Sequence, residues 1–170
     1  MPTKKTLILN QEQIRQKSLR IAYQIVEDNF EEESIVLVGI APRGYIFAQR
    51  LKSLLEQISS IDIQLIKVTL DKASSTLDAQ TDISVEEAKN KVIILVDDVL
   101  NSGRTLAYGL GIFFDIPIKK MRTAVLIDRS HHRFPIFSDY SGLKLSTILR
   151  EHVEVNLHEH DGGQDAAWLI

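Results

Sequence analysis

Two adjacent carboxylates stand in this chain between an apolar run and a loop of small polar residues. Asp97 and Asp98 follow the run Val-Ile-Ile-Leu-Val at 92–96, and Ser-Gly-Arg-Thr at 102–105 leads into an apolar helical stretch. Aliphatic runs of this length fit buried parallel strands, and open α/β sheets bind ligands beyond the carboxyl ends of such strands. Free N–H groups and hydroxyls before a helix can hold a phosphate. The order of these residues predicts a sugar-phosphate site, although an Asp pair alone also fits an ordinary turn between a strand and a helix.

A second candidate anion loop lies nearer the amino terminus. Residues 39–44 read Gly-Ile-Ala-Pro-Arg-Gly and join a predicted strand at 35–39 to a predicted helix at 44–58. Glycines and backbone amides let an anion approach closely, and Arg43 adds a positive charge. Proline and glycine alone would equally indicate a plain turn. The downstream Asp pair favours the anion-binding interpretation.

Polar residues are also dense where a predicted strand at 123–128 ends. The segment 128–132 reads Asp-Arg-Ser-His-His. Its histidines could be metal ligands, but adjacent residues rarely bind one metal, and no cysteine or acidic cluster at ligand spacing accompanies them. Trp168 is predicted to lie in the core or in an interface. Further histidines and acids near the carboxyl terminus are predicted to form a solvated, titrating tail and not a site: Glu151, His152, His158, Glu159, His160 and Asp161.

The spacing of apolar residues predicts a sheet whose strands alternate with helices. Asn10 is the predicted N-cap of a helix over 11–29, with Gln13 three residues on. Period-two alternation at 61–68 predicts an edge or half-buried strand, and the polar segment 71–90 predicts a loop. The other predicted elements are strands at 35–39, 92–96, 123–128, 153–157 and 166–170, helices at 44–58 and 105–114, and a helical turn at 85–89. This alternation predicts an α/β fold with a doubly wound, mainly parallel sheet.

Composition and charge limit the classes of function. The 170 residues predict a single domain, 1–170, with a core large enough to need no disulfide. The chain has no cysteine, which fits a reducing compartment, and it has neither a signal-peptide core nor an apolar run of membrane length. We therefore expect a cytoplasmic protein with no membrane partner. A net charge of -3 gives no general attraction to nucleic acid.

The run 92–105 resembles the phosphoribosyl-pyrophosphate (PRPP) signature of the type I phosphoribosyltransferases. The resemblance implies that Asp97 and Asp98 meet the ribose 2′- and 3′-hydroxyls and that the loop after them grips the 5′-phosphate. It also implies a Mg²⁺ ion bound with PRPP, for which the same two residues are the metal-site residues, mostly through PRPP itself. Arg43 and Gly44 match the loop that holds pyrophosphate in this family. The PRPP-binding residues implied in this way are Ala41, Pro42, Arg43, Gly44, Asp97, Asp98, Asn101, Ser102, Gly103, Arg104 and Thr105.

Residues 128–142 resemble, more narrowly, the pyrimidine-operon regulator/uracil phosphoribosyltransferase (PyrR) group. That group reads Asp-Arg-Gly-His-Arg, then Leu-Pro-Ile and Asp-Tyr-x-Gly. The resemblance implies that this region covers the base, with Asp128 and Arg129 as base-binding residues, and that the fold carries a small hood region. The matching residues in this chain are Asp128, Arg129, His131, Pro135, Ile136, Asp139, Tyr140 and Gly142.

The chain departs from the family pattern at several positions. Uracil-converting members carry Tyr-Arg-Asp-Asp in the loop that closes over PRPP, whereas this chain has Asp-Lys-Ala-Ser-Ser at 71–75. The missing Tyr and Arg weaken the prediction of full catalytic activity, because such lids exclude water. Phe137 and Leu143 occupy positions where members have Arg and Lys, Tyr23 replaces a His, and Asn101 stands where many members carry a small hydroxyl residue. The loss of basic side chains disfavours RNA as a partner, since phosphate contacts dominate RNA binding.

An enzyme accounts for most of these features. It would use PRPP and a nucleobase, with uracil as the first candidate, and form UMP and pyrophosphate, with Asp97, Asp98 and Arg43 as the catalytic residues. We expect these substrates as its partners, together with further copies of the chain in a dimer or tetramer. The alternative is a nucleotide-sensing, RNA-binding regulator of pyrimidine genes with weak or no catalysis. The missing lid residues favour the regulator, and the missing basic residues favour the enzyme.

Overall fold

The computed structural model describes residues 4–71 and 78–170, which form two β-sheets with helices packed against them. Beyond Asp71, the predicted closing loop at 71–75 lies outside the described residues. Within the described ranges, no helix combines the length and the apolar character needed to cross a bilayer. In chain order the described elements are β1 (Thr6–Leu9), α1 (Gln11–Asp28), β2 (Ser34–Ile40), α2 (Arg43–Ile58), β3 (Asp62–Leu70), β4 (Ala79–Thr81), a 3-10 turn (Val85–Ala88), β5 (Val92–Leu100), α3 (Arg104–Gly111), β6 (Lys120–Asp128), β7 (Tyr140–Lys144), β8 (Val153–Asn156), α4 (His158–Asp161) and β9 (Ala166–Leu169).

The larger sheet has six strands in the order β4-β3-β2-β5-β6-β7, and its neighbouring strands are parallel except for β3 with β4. Strand β2 and the first half of β5 are almost entirely aliphatic and buried, because helices cover both faces of a parallel sheet. Ile21 of α1 and Phe47 and Leu51 of α2 are buried on one face. Leu106 of α3 is buried on the other face. The predicted doubly wound α/β fold is confirmed.

The smaller sheet joins the two ends of the chain. Strands β1, β9 and β8 pair antiparallel in that order, so that Leu7 lies opposite Trp168. Leu9, Val155 and Ala167 are buried in the same core cluster as α1 and α2, while Trp168 is half-buried on β9. We call this sheet together with α4 the hood, and it is the small hood region that the resemblance implies.

Ion pairs hold the hood on α2. Arg43 and Arg50 lie two helical turns apart on one face of that helix. The Arg43 Nη2 atom is 2.6 Å from Asp161 Oδ1, and Arg50 reaches Glu159 at 2.5 Å and Asp165 at 2.6 Å. The Arg50 and Asp165 side chains are only 20% and 11% exposed, so their pair is screened less than a surface ion pair. The position of the hood therefore depends on charge as well as on apolar packing.

The pairing of Asp165 makes stability depend on pH. Burial acts to raise the pKa of Asp165, but hydrogen bonds from Arg50 and from the His158 backbone, with the charge of Arg50, hold that pKa below its usual value. As pH falls, such a carboxyl takes up its proton later in the folded than in the unfolded protein. Its stabilisation is therefore present at neutral pH and is lost below about pH 4.

We expect Asp165→Asn to lower the free energy of unfolding by about 1 kcal/mol at pH 7 and by less at about pH 3. Urea unfolding of the parent and the variant at both pH values measures the difference. An equal loss at both pH values would show that the effect is not one of charge.

The strands differ from the sequence-based expectation in four places. Strand β5 does not end at Val96 but continues to Leu100, because its second half pairs with β6 and Asp97 lies opposite Val125. Strand β3 is half-buried, one of the two expectations, but it is not at the edge, since β4, inside the segment predicted as a loop, pairs with its last three residues. Strands β1 and β7 are not predicted, because β1 finds its partner β9 at the far end of the chain and β7 begins inside a polar motif.

Candidate active site

The two loops predicted to bind anions meet at the carboxyl ends of β2 and β5. The strand order reverses between these neighbours, since β2 leads to β3 on one side and β5 leads to β6 on the other. Such a switch point leaves the crevice in which open α/β sheets bind ligands. Gly44, near the start of α2, lies against Asp97: a Cβ atom added at Gly44 would be 2.8 Å from Asp97 Oδ1. A glycine is therefore needed at position 44 for the start of α2 to approach β5 this closely.

Asp97 and Asp98 are partly exposed residues of β5. Because successive side chains of a strand point to opposite faces, the two carboxylates leave the strand in different directions. Asp97 Oδ1 accepts a hydrogen bond from the Asp98 backbone N–H at 2.9 Å, and Asp97 borders a pocket at α3. The negative charge of Asp98 acts on Arg43 of the other loop. Between them, the two carboxylates border both loops.

A pocket of about 40 Å³ lies at the amino end of α3, and residues 99–106 line it together with Asp97. All of the loop residues predicted for the 5′-phosphate, 101–105, are among them. Gly103 precedes the helix with a φ of 88°, in the left-handed region that glycine adopts without strain. Free N–H groups at a helix start favour an anion, and the volume, where one water needs about 10–15 Å³, suits a phosphate-sized group. We call this space the phosphate pocket.

Backbone hydrogen bonds tie this loop to the segment after β6. The Ser102 carbonyl accepts from the N–H groups of Arg133 and Phe134 at 2.8 and 3.0 Å, and the Leu100 carbonyl accepts from the Arg129 N–H at 3.0 Å. Ser102 Oγ also accepts from the Arg104 N–H at 3.2 Å. The loop is thus held in shape by neighbouring backbone as well as by its own turn.

Arg43, the residue predicted to hold pyrophosphate, has a carboxylate partner in the hood. Its Nε and Nη2 atoms donate to the two oxygens of Asp161 at 3.1 and 2.6 Å, and this bonding raises the pKa of Arg43. Burial acts to raise the pKa of Asp161, but hydrogen bonds from Arg43 and the Leu157 N–H, with the charge of Arg43, hold it below its usual value. The Nη1 atom of Arg43 has no acceptor among the described residues. The guanidinium is therefore fixed at the edge of the crevice with one nitrogen available.

The tail around α4 is exposed, as the sequence predicts, but it is not merely solvated. His158, Glu159 and Asp165 bring potential metal-ligand atoms within 4.8 Å of one another. The guanidinium of Arg50 donates to both of these carboxylates, so its charge occupies the place that a cation would take. Sequence reasoning missed the pairing of Asp161 with Arg43, because an acidic segment near the terminus carries no pattern that points to a distant residue.

Asp128, predicted to bind the base, ends β6 as a buried residue with 3% exposure. Its carboxylate accepts hydrogen bonds from the Ser130 N–H at 2.9 Å and Ser138 Oγ at 2.6 Å, and it lies 2.8 Å from His132 Nε2. Burial acts to raise the pKa of Asp128, but these hydrogen bonds hold it below its usual value. The carboxylate therefore organises the loop after β6.

Arg129, the other predicted base-binding residue, turns its side chain into the protein. Its guanidinium donates to Asn101 Oδ1 in the loop 101–105, to Thr147 Oγ1 and to the Glu151 carbonyl. The sequence predicts base binding for both Asp128 and Arg129, and in the structure the side chains of both residues form hydrogen bonds within the protein. Nothing in the sequence pattern links residue 129 to residue 101.

A mainly parallel sheet whose strand order reverses between β2 and β5, with a hood held on α2, is the architecture of the type I phosphoribosyltransferases. The family model described as phosphoribosyl transferase domain matches residues 6–160, and the chain belongs to that family.

Named relatives agree with this assignment. The chain is 36% identical to Bifunctional protein PyrR of Fusobacterium nucleatum, with 99% of this chain and 100% of that protein covered. It is 38% identical to Bifunctional protein PyrR of Bacillus cereus, with 92% of this chain and 93% of that protein covered. These relatives confirm the predicted resemblance to the PyrR group.

Solved structures of hypoxanthine enzymes share the fold. The hypoxanthine phosphoribosyl transferase of Trypanosoma cruzi superposes with a TM-score of 0.79 at 16% identity, covering 97% of this chain and 91% of that one. The hypoxanthine-guanine phosphoribosyltransferase of Bacillus anthracis gives 0.73 at 21% identity, covering 99% and 100%. At these identities the likeness is one of fold alone.

Proposed function

We propose that this protein is a uracil phosphoribosyltransferase that uses PRPP. The observation that carries the proposal is that the two predicted anion loops lie at the carboxyl ends of the neighbouring strands β2 and β5, where Gly44 abuts Asp97. PRPP has a phosphate on one side of its ribose and a pyrophosphate on the other, which suits two anion loops on one crevice. In the reaction the bond from ribose C1 to the pyrophosphate oxygen breaks, and a bond from C1 to a uracil nitrogen forms as that nitrogen loses its proton. UMP and pyrophosphate are the products.

Each loop has a distinct task in this proposal. Residues 101–105 bind the 5′-phosphate with backbone N–H groups and hydroxyls at the start of α3. Residues 41–44 bind the pyrophosphate, and Arg43 stabilises the negative charge that grows on it as it leaves. Asp97 and Asp98 fix the ribose hydroxyls and favour the positive charge that develops on the ribose. Orientation and charge stabilisation therefore supply most of the rate enhancement.

The crevice also suits a Mg²⁺ ion bound with PRPP. Two partly exposed carboxylates on β5 are the hard oxygen donors that Mg²⁺ prefers, and this ion is commonly bound by one or two carboxylates together with substrate phosphates. Asp97 and Asp98 are the residues that would hold it, mostly through PRPP. When bound, the ion neutralises phosphate charge.

We place the base beside the segment that follows β6. Asp128 and Arg129 serve base binding by holding that segment in shape, through the contacts described above. Uracil is supported by the residues of 128–142 that match the PyrR group, since that group converts uracil.

Turnover of Mg·PRPP with a panel of free bases tests the proposal. With uracil, hypoxanthine, guanine, adenine and orotate offered separately, we expect UMP and pyrophosphate from uracil alone. A purine nucleotide in place of UMP would overturn the choice of base and leave the family reaction standing. Tight UMP binding without pyrophosphate release from any base would favour the regulator.

Surface side chains disfavour the RNA-binding alternative. Tyr23 on α1 and Phe137 before β7 are 55% and 75% exposed, so aromatic rings stand at two positions where the PyrR group has basic side chains. Each missing phosphate contact lowers RNA affinity and its salt dependence. We therefore expect no UMP-enhanced binding of a pyrimidine-operon leader RNA at physiological salt.

Filter binding with and without UMP measures this, and submicromolar, UMP-enhanced binding would make the regulator the first candidate. A triple variant, Tyr23→His, Phe137→Arg and Leu143→Lys, is the matched comparison. It restores the basic positions and should gain salt-dependent affinity for RNA.

Self-association is a further part of the proposal. Large apolar side chains that are exposed in the monomer commonly mark contacts between proteins. We therefore expect a dimer or tetramer. Among the residues that the structure describes, the large apolar side chains that are more than 60% exposed are Phe30, Phe114, Phe137, Ile148 and Leu149.

A further inference from the structure

Arg129 carries a positive charge in the interior of the protein, where the residue is 7% exposed. The guanidinium donates to Asn101 Oδ1 at 3.0 Å, to Thr147 Oγ1 at 3.0 and 3.2 Å, and to the Glu151 carbonyl. All of these acceptors are uncharged. Within residues 4–71 and 78–170, no carboxylate forms an ion pair with this guanidinium, in contrast to Arg43 and Arg50.

The carboxylate of Glu151 compensates this charge only in part. Its charge acts on Arg129, but its Oε2 atom accepts a hydrogen bond from the Ile148 N–H at 2.9 Å. Burial lowers the pKa of Arg129 more than Glu151 raises it. A buried cation is costly unless an anion compensates it. The arrangement therefore indicates an anion that comes from outside the chain.

Arg129 is linked to the phosphate pocket through Asn101. Asn101 is exposed and borders that pocket. Because its amide oxygen accepts from Arg129, its N–H groups remain to donate to a ligand. The Arg129 backbone N–H also donates to the Leu100 carbonyl at 3.0 Å. The backbone and the side chain of Arg129 thus both hold the beginning of the loop 101–105.

We propose that Arg129 is a positioning residue for a phosphate group: it fixes Asn101 beside the phosphate pocket, and its charge favours a phosphate dianion there. This inference rests on the proposed function, since the phosphate is the 5′-phosphate of PRPP or UMP. It assigns Arg129 to the phosphate and not to a direct contact with the base.

Two ligands that differ by one phosphate separate this role from a general structural one. Arg129→Gln removes the charge and keeps hydrogen-bonding capacity. By titration calorimetry we expect affinity for UMP and for ribose 5-phosphate to fall at least about tenfold, and affinity for uridine to change less than about threefold. Arg129→Lys keeps the charge and should recover most of the phosphate affinity. Arg122→Gln, on strand β6 just before Arg129 but beside Asp28, is the matched control and should change neither affinity.

Asn101→Asp tests the same charge in a variant of nearly identical shape. It places a carboxylate where the amide oxygen now accepts from Arg129, so that an ion pair forms. We expect the melting temperature of the ligand-free protein to rise by about 2–4 °C while affinity for ribose 5-phosphate falls. A folding defect would lower both quantities, so the opposite signs identify the charge effect.

Equal losses of UMP and uridine affinity in Arg129→Gln would overturn the inference, and so would unchanged phosphate affinity in both Arg129→Gln and Asn101→Asp. Ribose 5-phosphate contains no base and separates the two proposals. A parent protein that binds ribose 5-phosphate but neither UMP nor uracil would refute the uracil assignment and still measure the role of Arg129. A parent that binds none of these ligands would refute both.

Discussion

Asp98→Asn is expected to abolish tight binding of Mg·PRPP while leaving the fold intact. The amide keeps the shape of the side chain and removes the charge that favours the metal ion and the ribose hydroxyls. Affinity should fall about 100-fold, the effect of losing a charge-assisted contact in a binding site. Because Asp98 is partly exposed, the free energy of unfolding should change by less than about 0.5 kcal/mol. Titration calorimetry with Mg·PRPP and urea unfolding measure the two quantities separately.

Asp62→Asn is the control for that experiment. Asp62 is an exposed carboxylate that begins β3, at the end of the sheet opposite the crevice. It should bind Mg·PRPP as the parent does. If Asp98→Asn also binds as tightly as the parent, the Asp pair does not hold the ribose, and the assignment of the run 92–105 to PRPP is wrong.

Gly44→Ala should damage both stability and ligand binding, because the added methyl group has no space. Its Cβ atom would lie 2.8 Å from the Val96 carbonyl oxygen and 2.9 Å from Asp97 Cα. These are backbone atoms of a central strand, so α2 must move away from β5. Overpacking of this kind costs about 1–3 kcal/mol of unfolding free energy. The same movement shifts the loop 41–44 away from Asp97, and we expect affinity for Mg·PRPP to fall at least about tenfold with it.

Gly111→Ala makes the same chemical change where nothing lies within 4 Å of the added atom. Gly111 ends α3, and alanine favours a helix over glycine, so stability should stay the same or rise slightly. The two variants are compared by the midpoint of urea unfolding and by Mg·PRPP titration. Parent-like stability and affinity in Gly44→Ala would mean that the crevice does not depend on the close contact at Asp97.

The crevice is predictable from sequence because its parts are local. An aliphatic run, an acidic pair and a small-residue loop occur in chain order, and parallel strands bring such loops to one edge of the sheet. The pattern is less informative about where β5 ends. Asp97 looks like the end of a strand, yet pairing with Val125 on β6 carries the strand on to Leu100. The hydrogen bonds to a neighbouring strand, and not the polarity of the side chain, decide the boundary.

Contacts between distant segments are what the sequence pattern does not contain. Strand β1 pairs with β9 at the other end of the chain, and the sequence of β1 alone is too short to predict a strand. Arg129 is the clearest case. Its position in a motif predicts base binding, but the motif does not indicate that its side chain donates to Asn101 and Thr147. A motif predicts that a residue lies near a site, while packing decides which atoms its side chain contacts.

Arg43 is engaged by the hood and is also the residue proposed to meet pyrophosphate. Thermodynamic linkage makes the two interactions of Arg43 reciprocal. If pyrophosphate binding weakens the Arg43–Asp161 ion pair, the ion pair weakens pyrophosphate binding by the same free energy. In the proposed reaction, Asp161 therefore competes with pyrophosphate for Arg43. The pair would weaken the binding of a product that must leave before the next turnover, and it would form again once that product has left.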